Sequence, residues 1–208
     1  EHVTYYTLST FEKIAKKNNL KIIDFSFNEI NGGSIEIKCA KKNSNLRAKT
    51  KKIEKLLKKE NIINSNSYNK FNDRIENTKR VLNLFLSKIK PRDIIGYGAS
   101  TKGNIVLNHC EITNKNLSYI CDANPYKFNR YTPGSNIKII SKKEMRIRKP
   151  KYLLVLIWSF RSEVIKQEIN YIKNGGKLIF HLPIFHIIDK YNYKKYLKKN
   201  FKSFSFDI

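Results

Sequence analysis

The sequence predicts an α/β protein with a parallel sheet in its C-terminal half. After Arg92, apolar segments that fit strands alternate with helical patterns over about 90 residues, as they do in parallel sheets. The first apolar segment stops at Gly96-Tyr97-Gly98, and such a turn is typical of the passage from a strand into a helix. The second ends at Asp122, where an acid commonly holds a ribose hydroxyl. Together these observations indicate a Rossmann-like domain at residues 91–190.

The N-terminal segment, residues 1–42, is predicted to hold one helix followed by an antiparallel pair of strands. Ser9 or Thr10 is expected to cap the helix, which extends to about Asn19. The second strand alternates apolar and polar residues, which is the pattern of a half-buried strand. The two strands are expected at Leu20–Phe27 and Ser34–Cys39.

Residues 43–90 are predicted to form a helical connector between two domains. The segment has no glycine or proline, and apolar residues recur in it at helical spacing. The Asn- and Ser-rich stretch 61–67 separates the two helices. We expect these helices at about Leu46–Lys59 and Tyr68–Lys88.

The Rossmann-like domain is predicted to contain strands at Ile94–Tyr97, Leu117–Cys121, Ile137–Ile140, Tyr152–Ile157 and Lys177–His181. Helices are expected at Lys102–Asn108, Lys142–Met145 and Arg161–Lys173, and Gly175-Gly176 ends the last of them. The tail at residues 191–208 is rich in lysine and aromatic residues, and its pattern assigns it no role.

The formal net charge of +25 does not by itself indicate a nucleic-acid-binding protein. The lysines are scattered along the whole chain, as in a general compositional bias, rather than gathered in one patch. The longest apolar run, Tyr152–Trp158, is far too short to cross a bilayer. We therefore expect a cytoplasmic protein that binds neither a membrane nor a nucleic acid.

The glycine turn and the residues after it form a candidate phosphate site. A helix that begins after a glycine turn presents backbone N–H groups and a positive dipole end to a ligand. A tight turn in any doubly wound sheet is the alternative, because the spacing is neither G-x-G-x-x-G nor a Walker A motif. The candidate residues of this turn are Gly96, Gly98, Ser100, Lys102 and Asn104.

A second candidate binding segment follows the second strand. Asp122 is expected to accept a ribose hydroxyl. Lys127 and Arg130 follow it, and together with Lys102 they are candidates to bind a diphosphate.

Four segments, taken in order and with their spacing, resemble the S-adenosylmethionine-dependent C-methyltransferases that act on nucleotide-linked ketosugars. The resemblance covers nearly all of residues 1–185. Asn129 stands where that family more often has glycine, and residues 156–159 replace a Pro-Trp-Asn-like turn. The segments are Glu1-His2 with Tyr5-Tyr6, Asn31-Gly32-Gly33-Ser34, Gly96–Asn104, and Asp122–Gly134.

The resemblance implies that residues 1–42 are the end of a class I methyltransferase domain and residues 91–190 a C-terminal domain that helps to bind a nucleotide-diphosphate-linked deoxy-ketosugar. S-adenosylmethionine would then bind mainly to a domain upstream of Glu1, and zinc only to a segment upstream of it. This chain itself is expected to hold no metal ion. It is expected to be a fragment of the enzyme, without the core that binds S-adenosylmethionine.

Methylation next to a ketone needs a base that removes the α-proton and a group that stabilises the enolate. Histidine, with an ordinary pKa near 6.5, suits the first task, and His2 is the candidate base, as the resemblance also implies. Glu1 is expected to fix the tautomer of His2 or to bind a sugar hydroxyl. Tyr5 is expected to position the sugar or to donate to the oxyanion. The alternatives are a non-catalytic nucleotide-binding module and, less favoured, a basic nucleic-acid binder.

Overall fold

The computed structural model describes residues 4–28 and 30–198, and it confirms the predicted α/β fold. Within these residues the chain divides into two compact units, one that extends through Asn72 and one that begins at Asp73. We call them the N-terminal unit and the C-terminal unit. The division falls inside a helix rather than at either end of the connector 43–90, and the domain boundaries remain a prediction.

The N-terminal unit packs two helices against a two-stranded antiparallel sheet, as far as its described residues show. The register of the sheet pairs Ile22 with Cys39 and Phe25 with Ile37, which confirms the predicted pair of strands. Buried apolar side chains from both helices and the first strand form its core. Its elements are α1 (Leu8–Lys17), β1 (Leu20–Asn28), β2 (Ser34–Lys41) and α2 (Thr50–Glu60).

Helix α1 begins two to three residues earlier than the predicted caps at Ser9 and Thr10 would place it. Thr7 is the cap, and its side chain accepts a hydrogen bond from the Thr10 amide. The carboxylate of Glu60, at the end of α2, accepts from the amides of Leu8 and Ser9 at 2.7 Å each. The prediction was wrong because an acid more than 50 residues away satisfies the first amides of this helix.

Helix α2 begins at Thr50 rather than at Leu46, because the chain before it is held against β1. The Lys49 amide donates to the Ile23 carbonyl at 2.8 Å, and the Lys49 ammonium pairs with Asp24. The next helix, α3, spans Ser65–Leu86.

The C-terminal unit contains a sheet that has six strands in the described part of the chain. Its strands are β3 (Ile94–Tyr97), β4 (Tyr119–Asp122), β5 (Lys138–Ser141), β6 (Tyr152–Val155), β7 (Lys177–Phe180) and β8 (His186–Ile188). Its helices after α3 are α4 (Thr101–His109), α5 (Lys142–Arg148), α6 (Arg161–Gln167), α7 (Ile169–Lys173) and α8 (Tyr193–Lys198).

The strand order β5-β4-β3-β6-β7-β8 confirms the Rossmann-like arrangement. The neighbours from β5 to β7 are parallel, and the edge strand β8 is antiparallel to β7, so the sheet is mixed rather than wholly parallel. The connections leave β3 and β6 in opposite directions along the sheet. In doubly wound sheets ligands bind at such a switch point, outside the carboxyl ends of the two strands, and we call this position beside β3 and β6 the crevice.

The predicted helix Arg161–Lys173 is interrupted at Glu168, which ends α6 and precedes α7. Glu168 is buried, and its carboxylate accepts from the Tyr97 hydroxyl at 2.9 Å and pairs with Arg146. The hydrogen bond with Tyr97 of β3 holds the break between α6 and α7 against the sheet. Two further elements were not indicated by the sequence pattern: β8, at the end of the predicted domain, pairs with β7, and α8, in the described part of the tail, packs against α6.

Apolar residues pack on both faces of this sheet, as its strand pattern requires. Leu107 of α4 and Leu154 of β6 are fully buried on one face, and Val155 and Ile165 are fully buried on the other. None of the helices in the described residues has the length and apolar character that a membrane crossing needs.

Replacing Glu60 with Ala is expected to lower the free energy of unfolding of the N-terminal unit by about 1–2 kcal/mol, because two amides at the start of α1 lose their acceptor. Urea denaturation measures this change. Glu54→Ala removes an exposed acid from the same helix and serves as the control, with an expected change within about 0.5 kcal/mol. Equal losses in the two variants would contradict the assigned role of Glu60.

Candidate functional site

The turn between β3 and α4 lies at the crevice and depends on Gly98. This residue has φ of +90°, a conformation that side chains with a Cβ resist. Its amide donates to the Cys121 carbonyl at 2.8 Å, which fixes the turn to the end of β4. A Cβ at Gly98 would lie 2.6 Å from Cγ2 of Ile157, so an apolar side chain from the loop after β6 already fills that space.

The other glycines of the motif allow close packing. Gly96 lies inside β3, where a Cβ would come within 2.7 Å of the Ile120 side chain. A Cβ at Gly103 would lie 2.9 Å from Cβ of Leu156, so this glycine lets α4 approach the residues after β6. Gly96, a predicted site residue, and Gly103, which was not among the predicted ones, therefore serve the packing around the turn.

The start of α4 keeps the features expected of an anion site. Ser100 caps the helix, and its hydroxyl accepts from the Gly103 amide at 3.0 Å. Lys102 is the second residue of the helix and is half-buried. The side-chain oxygen of Asn104 is buried and meets no hydrogen-bond donor within the described residues. The first amides of an α-helix have no acceptor within the helix, which is why helix starts suit anions in general.

Asp122 and Lys127 fasten the turn to the loop that follows β4. The Ala99 amide donates to Asp122 Oδ2 at 2.8 Å, and the Lys127 ammonium donates to the Ala99 carbonyl at 2.9 Å. The ammonium also lies 3.4 Å from Asp122 Oδ2, and the Asn124 amide donates to Oδ1 at 2.8 Å. We call Ala99, Asp122 and Lys127 the loop clamp. Its ionic groups are predicted ligand contacts, and in the structure they also position the turn.

Arg130 differs from the cations of the loop clamp, since its side chain is exposed and has no hydrogen bond or ion pair in the described part of the chain. Its backbone is fixed, because its carbonyl accepts from the Ile139 amide at 2.8 Å. Asn129 before it has φ of +60°, which explains why glycine and asparagine are the residues that suit this position. The backbone of Arg130 is therefore fixed, and its guanidinium is available to a ligand.

The predicted catalytic residues lie in the N-terminal segment. Glu1 and His2 fall outside the described residues. Tyr5 is 83% exposed in the segment before α1. The roles of all three residues remain predictions.

Sequence reasoning did not single out a buried basic cluster in the C-terminal unit. His181 follows β7 and is fully buried, and burial, followed by the neighbouring His186, lowers its pKa to about 4. The His186 ring stacks between Phe180 and Tyr196, with centroids 5.1 Å from each. Arg161 is also buried, its guanidinium lies 5.4 Å from the Tyr196 ring, and burial lowers its pKa to about 10. The sequence signal that could have revealed the burial of His181 is its position directly after a buried strand.

No group of three or more histidine, cysteine, aspartate or glutamate side chains in the described ranges is arranged to hold a metal ion. The predicted zinc concerned a segment upstream of this chain, and the structure does not bear on it.

Comparison with known proteins gives two findings. The family model of the C-methyltransferase C-terminal domain matches residues 29–183. The C-methyltransferase NovU of Streptomyces niveus is 26% identical over 187 residues, which cover 88% of this chain and 44% of NovU. The chain thus spans less than half the length of this relative, and the match includes the whole crevice of the C-terminal unit.

Substituting Gly98 with Ala is expected to lower the free energy of unfolding by about 3 kcal/mol, because the strain of positive φ adds to the clash with Ile157. Gly175→Ala is the matched control, since Gly175 has φ of +94° and nothing within 4 Å of its missing Cβ, and about 1 kcal/mol is expected there. In an Ile157→Ala background the effect of Gly98→Ala should fall to the control value. An unchanged effect in that background, measured by urea denaturation, would contradict the packing explanation.

Folding stability is expected to fall on acidification from pH 6.5 to pH 4, because His181 must remain neutral in the folded state and is protonated more readily in the unfolded one. The contribution is complete above pH 6.5 and reaches at most about 3.5 kcal/mol, at about 1.4 kcal/mol for each pH unit. His181→Gln should remove this part of the pH dependence of urea denaturation. The control His109→Gln, at an exposed histidine, should leave it in place, and a loss in both variants would refute the assignment.

Proposed function

We propose a function from one premise: the chain belongs to the C-methyltransferase C-terminal domain family. It is the C-terminal part of an enzyme that methylates the carbon next to the ketone of a nucleotide-diphosphate-linked deoxy-ketosugar. The C-terminal unit is the platform that binds the sugar nucleotide. The observation that carries this proposal is the loop clamp, which fixes the turn before α4 and the loop after β4 at the crevice between β3 and β6.

The proposed diphosphate site combines a helix start with side-chain cations. The opening amides of α4 and its positive dipole end face an anion at the turn. Arg130 supplies a planar guanidinium that pairs with two phosphate oxygens, and Lys102 supplies a point charge. The clamp residues Asp122 and Lys127 hold these groups in place, and they remain candidates for direct contact with the ligand.

The proposed chemistry begins with removal of the proton next to the ketone. His2 takes this proton, and the electron pair of the C–H bond moves into the enolate. Tyr5 donates a hydrogen bond to the enolate oxygen or positions the sugar, and Glu1 orients the His2 ring or binds a sugar hydroxyl. S-adenosylmethionine supplies the methyl group to the α-carbon in this class of reaction.

We propose that S-adenosylmethionine binds mainly outside the described residues. In the N-terminal unit, Gly32 and Gly33 connect two antiparallel strands, whereas a nucleotide cofactor needs a glycine turn between a strand and a helix. In the C-terminal unit, Ile157 covers Gly98. We place the cofactor, and any zinc ion, in the part of the full-length protein upstream of Glu1.

The variants Arg130→Ala and Lys102→Ala are each expected to weaken the binding of a nucleoside-diphosphate sugar by about tenfold, since each removes a charge-assisted contact with the diphosphate. Isothermal titration calorimetry of the 208-residue chain measures this change. Arg92→Ala removes another exposed arginine, which lies before β3 at the opposite end of that strand from the turn, and should have little effect. Equal weakening by all three variants would point to general attraction by a basic chain and would contradict the site.

In the full-length protein, His2→Ala is expected to abolish exchange of the α-proton of the ketosugar with deuterium from solvent, because no base then removes that proton. Nuclear magnetic resonance of the sugar follows the exchange. A non-catalytic nucleotide-binding module would show no exchange even in the wild-type protein. Exchange that persists at the wild-type rate in His2→Ala would exclude His2 as the base.

A further inference from the structure

The loop between β4 and β5 is well fixed although much of it faces solvent. Asn124 caps a short turn, and its side chain accepts from the Tyr126 amide at 3.0 Å. Further along, the Asn129 amide donates to the Ile139 carbonyl at 2.9 Å. Lys127, between these points, reaches the Ala99 carbonyl in the loop clamp. The backbone of Tyr126 is therefore held beside the turn that opens the proposed diphosphate site.

The side chain of Tyr126 is 84% exposed on this fixed backbone. Its ring stacks on no other aromatic ring and lies under no cation in the described part of the chain. Tyr191 is equally exposed at 83%, but Lys190 lies 5.0 Å from its ring. A single exposed tyrosine needs no explanation by itself. Its position, next to a clamp residue and four residues before Arg130, makes the Tyr126 ring relevant to the site.

The loop has little capacity left to hold a nucleoside through Asp122. The Asp122 carboxylate already accepts from the amides of Ala99 and Asn124 and pairs with Lys127. An exposed ring face offers a different kind of contact. Every nucleobase has a flat face that stacks on an aromatic ring, and the Tyr126 backbone is ordered before the ligand arrives, which lowers the cost of binding.

We propose that Tyr126 is the stacking platform for the nucleobase of the bound nucleotide, while Arg130 contacts its diphosphate. The β4–β5 loop thus distinguishes a nucleoside diphosphate from a bare diphosphate. This inference rests on the proposed function, since it assigns a contact within the same sugar-nucleotide site.

The test measures the binding of UDP, dTDP, ADP, GDP and inorganic pyrophosphate to the 208-residue chain and its variants by calorimetry. Tyr126→Ala is expected to weaken the nucleoside diphosphate that binds best by about tenfold or more and to leave pyrophosphate binding unchanged. Tyr126→Phe keeps the ring and should stay within about twofold of the wild-type affinity. Arg130→Ala should weaken nucleoside diphosphates and pyrophosphate alike. Tyr191→Ala is the matched control and should change neither affinity.

Thermal unfolding of each variant verifies that the fold is kept, as expected for exposed side chains. If nucleoside diphosphates bind and Tyr126→Ala weakens them no more than Tyr191→Ala does, the stacking role is overturned while the proposed function stands. Equal loss of pyrophosphate binding in Tyr126→Ala would also overturn it, because stacking does not act on a ligand without a base. If the wild-type chain binds none of these ligands, both proposals are overturned.

Discussion

The candidate site depends on the contact between Asp122, Lys127 and the backbone of Ala99. The Asp122 carboxylate accepts from the Ala99 amide, and the Lys127 ammonium donates to the carbonyl of the same residue. Both backbone polar groups of Ala99 are therefore bonded to residues at the end of β4 and in the loop after it. Asp122 is only 12% exposed, which makes these hydrogen bonds stronger than they would be in water. Because of this contact, the turn before α4 and the β4–β5 loop present their groups as one surface.

The glycines complete the same arrangement by letting elements approach each other. Gly103 brings α4 close to the residues that follow β6, and Gly98 allows both the positive φ of the turn and the contact with Ile157. A motif that resembles a nucleotide-binding turn thus has much of its space filled by protein. The groups that remain for a ligand lie at the start of α4 and on the neighbouring loop, which favours a platform at the crevice over a deep dinucleotide site.

The predictable part of the structure follows local patterns. Strand β3 occupies Ile94–Tyr97, the predicted residues. The beginning of the apolar run marks one end of the strand, and the glycine turn marks the other. Features that depend on distant partners were not predictable. The carboxylate that satisfies the start of α1 comes from Glu60, and the buried Glu168, paired with the exposed Arg146, interrupts a continuous helical pattern. Asp122 was found by its position after a strand, but its role in the loop clamp depends on an amide 23 residues earlier.

The central claim is that the surface fixed by the loop clamp binds a nucleoside-diphosphate sugar. The most direct measurement is a titration of the ¹⁵N-labelled chain with such a sugar, followed through its backbone amide resonances. This claim predicts the largest shifts at residues 99–103, in the turn before α4, and at residues 122–130, at the end of β4 and in the loop after it. Shifts that avoid both segments, or that spread over lysine-rich surface throughout the chain, would contradict it.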